Sequence, residues 1–150
     1  MSHIDRVQAH TPEHINQQIA NDARRRVRHA GGESRLQLTR RIDALEGEWD
    51  IERVLEVNAA SLALSGLVIG LFLNRKFLLL PAIVLPLLLQ HAVQGWCPPL
   101  PVLRRRGVRT RREIEKEKNA LKALRGDFAK VQAGGDPLEK ARAAWDAAHA

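Results

Sequence analysis

An all-α fold built on a two-span transmembrane helical hairpin, with amphipathic cytoplasmic helices on both sides, is the class this sequence predicts. Three observations predict it. Residues 54–73 and 77–96 form two apolar stretches of 20 residues each, and at a helical rise of roughly 1.5 Å per residue each would cover a hydrocarbon core of about 30 Å. Only Asn74-Arg75-Lys76 separates them, and six arginines follow the second stretch within residues 104–112. Outside the hairpin, apolar residues recur at helical spacing, and no segment alternates as a half-buried strand does.

Average composition conceals this. With 27% charged and 45% hydrophobic residues the chain would pass for an ordinary soluble domain. Residues 1–53 carry nine basic and nine acidic groups, and residues 113–150 carry seven of each. The net charge of +7 therefore arises at the hairpin: Glu56 subtracts one, Arg75 and Lys76 add two, and Arg104, Arg105, Arg106, Arg109, Arg111 and Arg112 add six. Cytoplasmic loops concentrate such residues near span ends, and an anionic leaflet attracts each by about 1 kcal/mol. Both termini are expected in the cytoplasm, and the arginine block is expected to contact lipid in the anionic inner leaflet. No nucleic-acid partner is expected, because no tyrosine and only three phenylalanines leave few stacking platforms.

The elements follow in order. Residues 1–53 predict amphipathic cytoplasmic helices. Thr11-Pro12-Glu13 sets a hydroxyl cap before a first-turn proline, and Ile15, Ile19, Ala23 and Val27 recur every four residues until Gly31-Gly32. After Ser34, the stripe of Leu38, Ile42, Leu45 and Trp49 runs toward the first span without a strong breaker, which predicts one helix continuous with it. The polar first 20 residues hold no apolar signal core, so the first span is expected to act as an uncleaved insertion signal. After the hairpin of residues 54–96, with its loop at 74–76, residues 97–112 form a Cys-Pro-Pro and arginine-rich juxtamembrane segment. In residues 113–150, Thr110-Arg111-Arg112-Glu113 reads as a capping box that opens a helix. Ile114, Leu121, Leu124, Phe128 and Val131 mark its face, Glu117 interrupts that face, and Gly134-Gly135 ends it. Asp136 and Pro137 then cap a last helix that carries Trp145.

Within the first span, Ala59, Ala63, Gly66 and Gly70 lie within about 60° of one another around a helix, so two backbones can approach there. The seam serves either the second span of the same hairpin or a homo-oligomer. Pro86, Gln90 and Gln94 share a face of the second span with His91 beside them, while Glu56 and Asn58 lie at a matching depth if the helices run antiparallel. Intramembrane polar groups either form a relay, solute path or ligand site, or satisfy one another near the interface; a Glu56–His91 contact is one such pairing. Cys97 is the sole cysteine and is expected as a free thiol in a reducing compartment. Clustered arginines nearby would depress its pKa and favour thiolate, whereas a structural cap of the span end is the simpler role. Cys97 and His91 fall short of the four ligands zinc normally takes. No cofactor, metal or catalytic constellation is indicated, and a non-enzymatic protein is expected.

Gly95-Trp96-Cys97-Pro98, followed by Gly107-Val108-Arg109-Thr110, resembles the marker of the YgaP-like transmembrane domain family, a bacterial inner-membrane domain of unknown function. The resemblance covers roughly residues 50–128, including the Arg-Gly-Asp-Phe of a longer-tailed subgroup at residues 125–128. It implies a multi-pass inner-membrane protein. In some relatives the domain follows a sulfur-transferring rhodanese domain, which implies a rhodanese-type partner. This chain has neither that domain nor its Cys-Arg-x-Gly-x-Arg loop, and Asn119 stands where the subgroup tends to an aromatic residue. A membrane anchor or adaptor is the function expected. A sulfur-relay or sulfur-export accessory using Cys97, and an oligomeric small-solute channel, are the alternatives.

Overall fold

The structure is a computed structural model that describes residues 5–129, 131 and 136–149. Every regular element among the described residues is helical. In chain order they are α1 (Arg6–Ala9), α2 (Glu13–Ala30), α3 (Arg35–Glu46), α4 (Ile51–Phe72), a 3₁₀ turn (Arg75–Leu78), α5 (Leu79–Gln94), α6 (Leu100–Arg105), α7 (Arg111–Arg125) and α8 (Pro137–His149). Their contacts divide the chain into two units, one of residues 5–20 and 49–112, the other of residues 21–48 and 113–149. Residues 5–20 thus group with the hairpin and not with residues 21–48.

In the first unit, α4 and α5 form the hairpin. The expected continuity of the Leu38 stripe with the span fails at residues 47–50. The Gly47 amide closes α3 by donating to the Asp43 carbonyl, and the Asp50 carboxylate opens α4 by accepting from the Arg53 amide at 2.8 Å. The span limits also shift. The amide of Lys76 donates to the Asn74 side chain, and this starts the 3₁₀ turn that takes up Phe77 and Leu78 before α5 begins. Gly95, at φ +77°, ends α5 and leaves Trp96 outside it.

Small residues set the helix spacing. A Cβ at Gly66 would lie 2.8 Å from Pro81 Cδ and 2.9 Å from Leu80 Cβ, and one at Gly70 would lie 2.6 Å from Leu78 Cδ2. Gly66 and Gly70 are therefore both covered by the returning chain of their own hairpin. The outer faces are apolar and uncovered: Leu64, Leu71, Leu79, Leu89 and Val93 are each more than 60% exposed, and Phe72 is 80% exposed. Only 17% of the apolar stretch that includes α4, and 6% of that in α5, is buried. The helical stretch ending in α4, and the 3₁₀ turn with α5 taken together as residues 75–94, are each long and apolar enough to cross a membrane.

At the open end of the hairpin, opposite the 3₁₀ turn, Val7, Ile51, Leu55, Cys97 and Leu100 form a small core that Leu103 and Val108 complete. Two short helices not foreseen from the sequence, α1 and α6, supply Val7 and Leu100. The Ile51 amide donates to the Arg109 carbonyl at 2.9 Å, which ties the start of α4 to the chain leaving α6.

The second unit is built on Ala30, Leu38, Ile42, Leu45, Ile114 and Leu121, with Val27 packed against them. The stripes read from the sequence thus form its core. Two points differ. Leu124, expected on the buried face of α7, is 46% exposed, and Gly126 at φ +87° stops the helix after Arg125; the expected stop at Gly134-Gly135 lies outside the described residues. Glu117, expected to interrupt the face, is 5% exposed, and it accepts two hydrogen bonds of 2.8 Å from Arg26. A forked guanidinium matches a carboxylate in this way, so the charge is buried with its partner. Arg41 makes a similar fork to Glu33.

A bulky side chain at the close glycine seam should be costly. Gly66→Leu is expected to lower stability by roughly 1–3 kcal/mol through overpacking, while Ser65→Leu on the exposed side of the same helix should stay within about 0.5 kcal/mol. Unfolding in detergent micelles followed by circular dichroism measures both.

Candidate functional site

The polar groups of the first unit converge at the open end of the hairpin, and two arginines hold it together. Arg6, on α1, donates from Nη1 to the Ala92 carbonyl at 2.7 Å and the Val93 carbonyl at 3.2 Å. These are carbonyls of the last turn of α5, where a cation is favoured by the helix dipole. The approach is close enough that a Cβ at Gly95 would collide with Arg6, so Gly95 is required by contact as well as by its positive φ.

Arg104 is 1% exposed. It donates from Nε to Thr11 Oγ1 at 3.2 Å, from Nη2 to Asn16 Oδ1 at 2.9 Å and from Nη1 to the Val108 carbonyl at 3.0 Å. The Thr11 hydroxyl in turn donates to the Val7 carbonyl at 2.7 Å, so this residue is bound into the arginine network at the entry to α2. The expectation that all six arginines contact lipid is corrected here. Arg104 and Arg109 are buried in protein, Arg104 because it faces Thr11 and Asn16 on the same side of α6 as Leu100, whereas Arg105, Arg106, Arg111 and Arg112 are exposed.

Two cavities meet at His91. One, of about 510 Å³, lies among α4, α5 and α6; its walls are apolar, with Leu62, Leu87 and Val102 among them, and its polar groups come from Asn58, His91, Cys97 and Arg106. The other, of about 940 Å³, carries charges of both signs: Asp5, Glu52 and Glu56 against Arg6, Arg111 and Arg112, with His91 at its wall. His91 is 7% exposed. Its Nδ1 and Glu52 Oε2 are buried without a hydrogen-bond partner among the described residues, and both residues line the charged cavity. Unpaired buried polar atoms cost stability, so two beside one cavity mark it as a place where a ligand or ordered water completes the bonding.

The residues singled out from the sequence separate accordingly. Glu56 and His91 face one cavity but are not joined by a hydrogen bond. Asn58 faces the apolar cavity, and its amide donates to the Val54 carbonyl of its own helix at 2.7 Å. Gln90, partly buried, donates to the exposed Gln94 at 3.4 Å, and neither lines the two cavities at His91. Ala59 lines the apolar cavity, and Ala63 is partly buried farther along α4 toward Gly66. Asp5, Arg6 and Glu52 were not foreseen as site residues; Glu52 lies on the first turn of α4 just before the apolar stretch, and folding of α1 across the end of α5 brings Asp5 and Arg6 there.

Cys97 is 4% exposed, and burial pushes its thiol pKa up, against a smaller opposing effect of a hydrogen bond with the Leu100 backbone. This is opposite to the depression expected from the arginines, because Arg104 is spent on Thr11, Asn16 and Val108 and desolvation dominates. Among the described residues no group of histidines, cysteines and carboxylates has the geometry of a metal site. No protein-family model, no curated protein and no solved structure matches the chain.

Two outcomes follow from these contacts. Arg104→Ala, which leaves Thr11, Asn16 and the Val108 carbonyl without their donor, should cost at least about 2 kcal/mol in chemical denaturation, whereas Arg105→Ala should cost less than about 0.5 kcal/mol. For Cys97 the nucleophile is the thiolate, and a raised pKa leaves less of it at any given pH. Maleimide labelling of the folded protein is therefore expected to lag a small free thiol throughout the neutral range and to recover on denaturation.

Proposed function

We propose that this chain is a small integral protein of the bacterial inner membrane, in which the α4–α5 hairpin is a two-span anchor and helices from both termini form a cytoplasmic adaptor surface. The observation that carries this reading is the outward apolar face of the hairpin, which stays exposed along both helices while charged groups collect at the open end. A helix apolar on all sides needs an apolar surrounding. Arg105, Arg106, Arg111 and Arg112 outnumber Arg75 and Lys76 at the turn, which favours the open end on the cytoplasmic side. The resemblance to the YgaP-like transmembrane domain family agrees with this placement.

The geometry favours an anchor over the two rival readings. A sulfur relay through Cys97 needs an accessible thiolate, and the thiol is buried with a raised pKa. A solute path along Gln90 and Gln94 needs further copies to enclose it, since two spans do not surround a path and Gln94 is exposed. Partners of the adaptor surface would be a second copy or a rhodanese-type protein, and crosslinking in membranes distinguishes them.

The test is extraction and topology. The full-length protein should resist alkaline carbonate. In a Cys97→Ser background, Asn74→Cys should react with an impermeant maleimide in spheroplasts, and Ser34→Cys should react only after lysis. Release of the protein by carbonate would overturn the membrane assignment, and the reverse labelling pattern would overturn the topology.

A further inference from the structure

We infer that the apolar cavity among α4, α5 and α6 is a binding site for one anionic membrane phospholipid, whose acyl chain lies between the helices and whose phosphate is held at Arg106. The inference rests on the membrane reading above and adds a specific ligand to it.

Shape comes first. A cavity of about 510 Å³ falls within the roughly 300–1,000 Å³ of small-molecule sites. Its lining runs from Leu55 to Leu62 on α4 and from His91 back to Val84 on α5, each close to 10 Å of helix, or about a third of a hydrocarbon core of 30 Å. That length suits the part of an acyl chain nearest its headgroup, with the rest of the chain continuing into the bilayer. Leu62 and Val102, both on its wall, are about half exposed. The cavity therefore opens sideways onto the apolar outer face of the hairpin, where membrane lipid would lie, and a ligand can enter without crossing water.

Chemistry chooses the headgroup. The polar groups at this cavity are the Asn58 amide, His91, the Cys97 thiol and the exposed Arg106. None is a carboxylate, so the local charge is positive, and a basic pocket between spanning helices on the cytoplasmic side suits an anionic headgroup. A phosphate also supplies acceptors for hydrogen-bond donors. His91, which lines both cavities, is more than nine-tenths buried and has an unpartnered ring nitrogen, so the wall between them carries a buried polar group with bonding capacity to spare. The neighbouring charged cavity is the poorer place for a phosphate, because Asp5, Glu52 and Glu56 would repel it.

The experiment uses the full-length protein reconstituted into vesicles of equal phosphatidylglycerol and phosphatidylcholine with matched acyl chains, then released in mild detergent and weighed by native mass spectrometry. One phosphatidylglycerol should be retained per chain, favoured over phosphatidylcholine by about tenfold, and Arg106→Gln should remove most of that preference. Arg105→Gln, on the same helix but outside the cavity, should leave it intact. Ala59→Phe should displace the lipid by filling the cavity; if that variant misfolds, Arg106→Gln still decides. Equal retention of the two lipids, an unchanged preference in Arg106→Gln, or replacement of the phospholipid by added oleate would overturn the proposal. Carbonate extraction of the same vesicles separates the two claims: a retained protein without lipid preference refutes only this site, and a released protein refutes the membrane reading as well.

Discussion

The guanidinium of Arg104 joins segments about 90 residues apart in sequence, and the open end of the hairpin depends on that junction. By binding Thr11, Asn16 and the Val108 carbonyl it fixes the start of α2 against α6. The chain just before Thr11 is then held where Arg6 can cap the last turn of α5 and where Val7 can enter the core of Ile51, Leu55, Cys97 and Leu100. A buried guanidinium is tolerated because its fork of donors finds several oxygen acceptors at once, which an ammonium on a flexible stem does less well. Both cavities inherit their walls from these placements.

The first unit has two surfaces of opposite character. Along the hairpin, Gly66 and Gly70 take Leu80, Pro81 and Leu78 directly against them, while Leu64, Leu71, Leu89 and Val93 face outward and stay exposed. Close backbone approach replaces a hydrophobic interior as the basis of helix association there. At the open end the order is reversed, with aliphatic residues inside and the charged groups gathered around them. His91 sits at the changeover, with an apolar cavity on one side and a charged one on the other. The second unit has an aliphatic core, and Glu117, buried on its α7 face, is paired there with Arg26.

Much of this was legible in the residues because the signals are local. Apolar runs of spanning length marked α4 and α5, the stripes of Val27, Leu38, Ile42, Leu45, Ile114 and Leu121 foretold the core of the second unit, and Thr110 stood one residue before the start of α7. The failures share one cause. The break at Gly47–Asp50, the burial of Arg104, the pairing of Glu117 and the protected state of Cys97 each depend on what another part of the chain presents. An arginine in a basic block carries no sign that Thr11 and Asn16 will be opposite it, and a thiol near arginines cannot reveal that its own burial will outweigh them.

The sequence by itself determined the helical class, the two apolar helices of spanning length and the separation of charge from them, since hydrophobic periodicity and helix caps act over a few residues. Tertiary structure alone decided that Gly66 and Gly70 face their own hairpin, that two of the six arginines turn inward, and that His91 joins two cavities. Those outcomes turn on desolvation and hydrogen-bond pairing between distant segments, where the identity of the neighbour sets whether a polar side chain is buried or left at the surface.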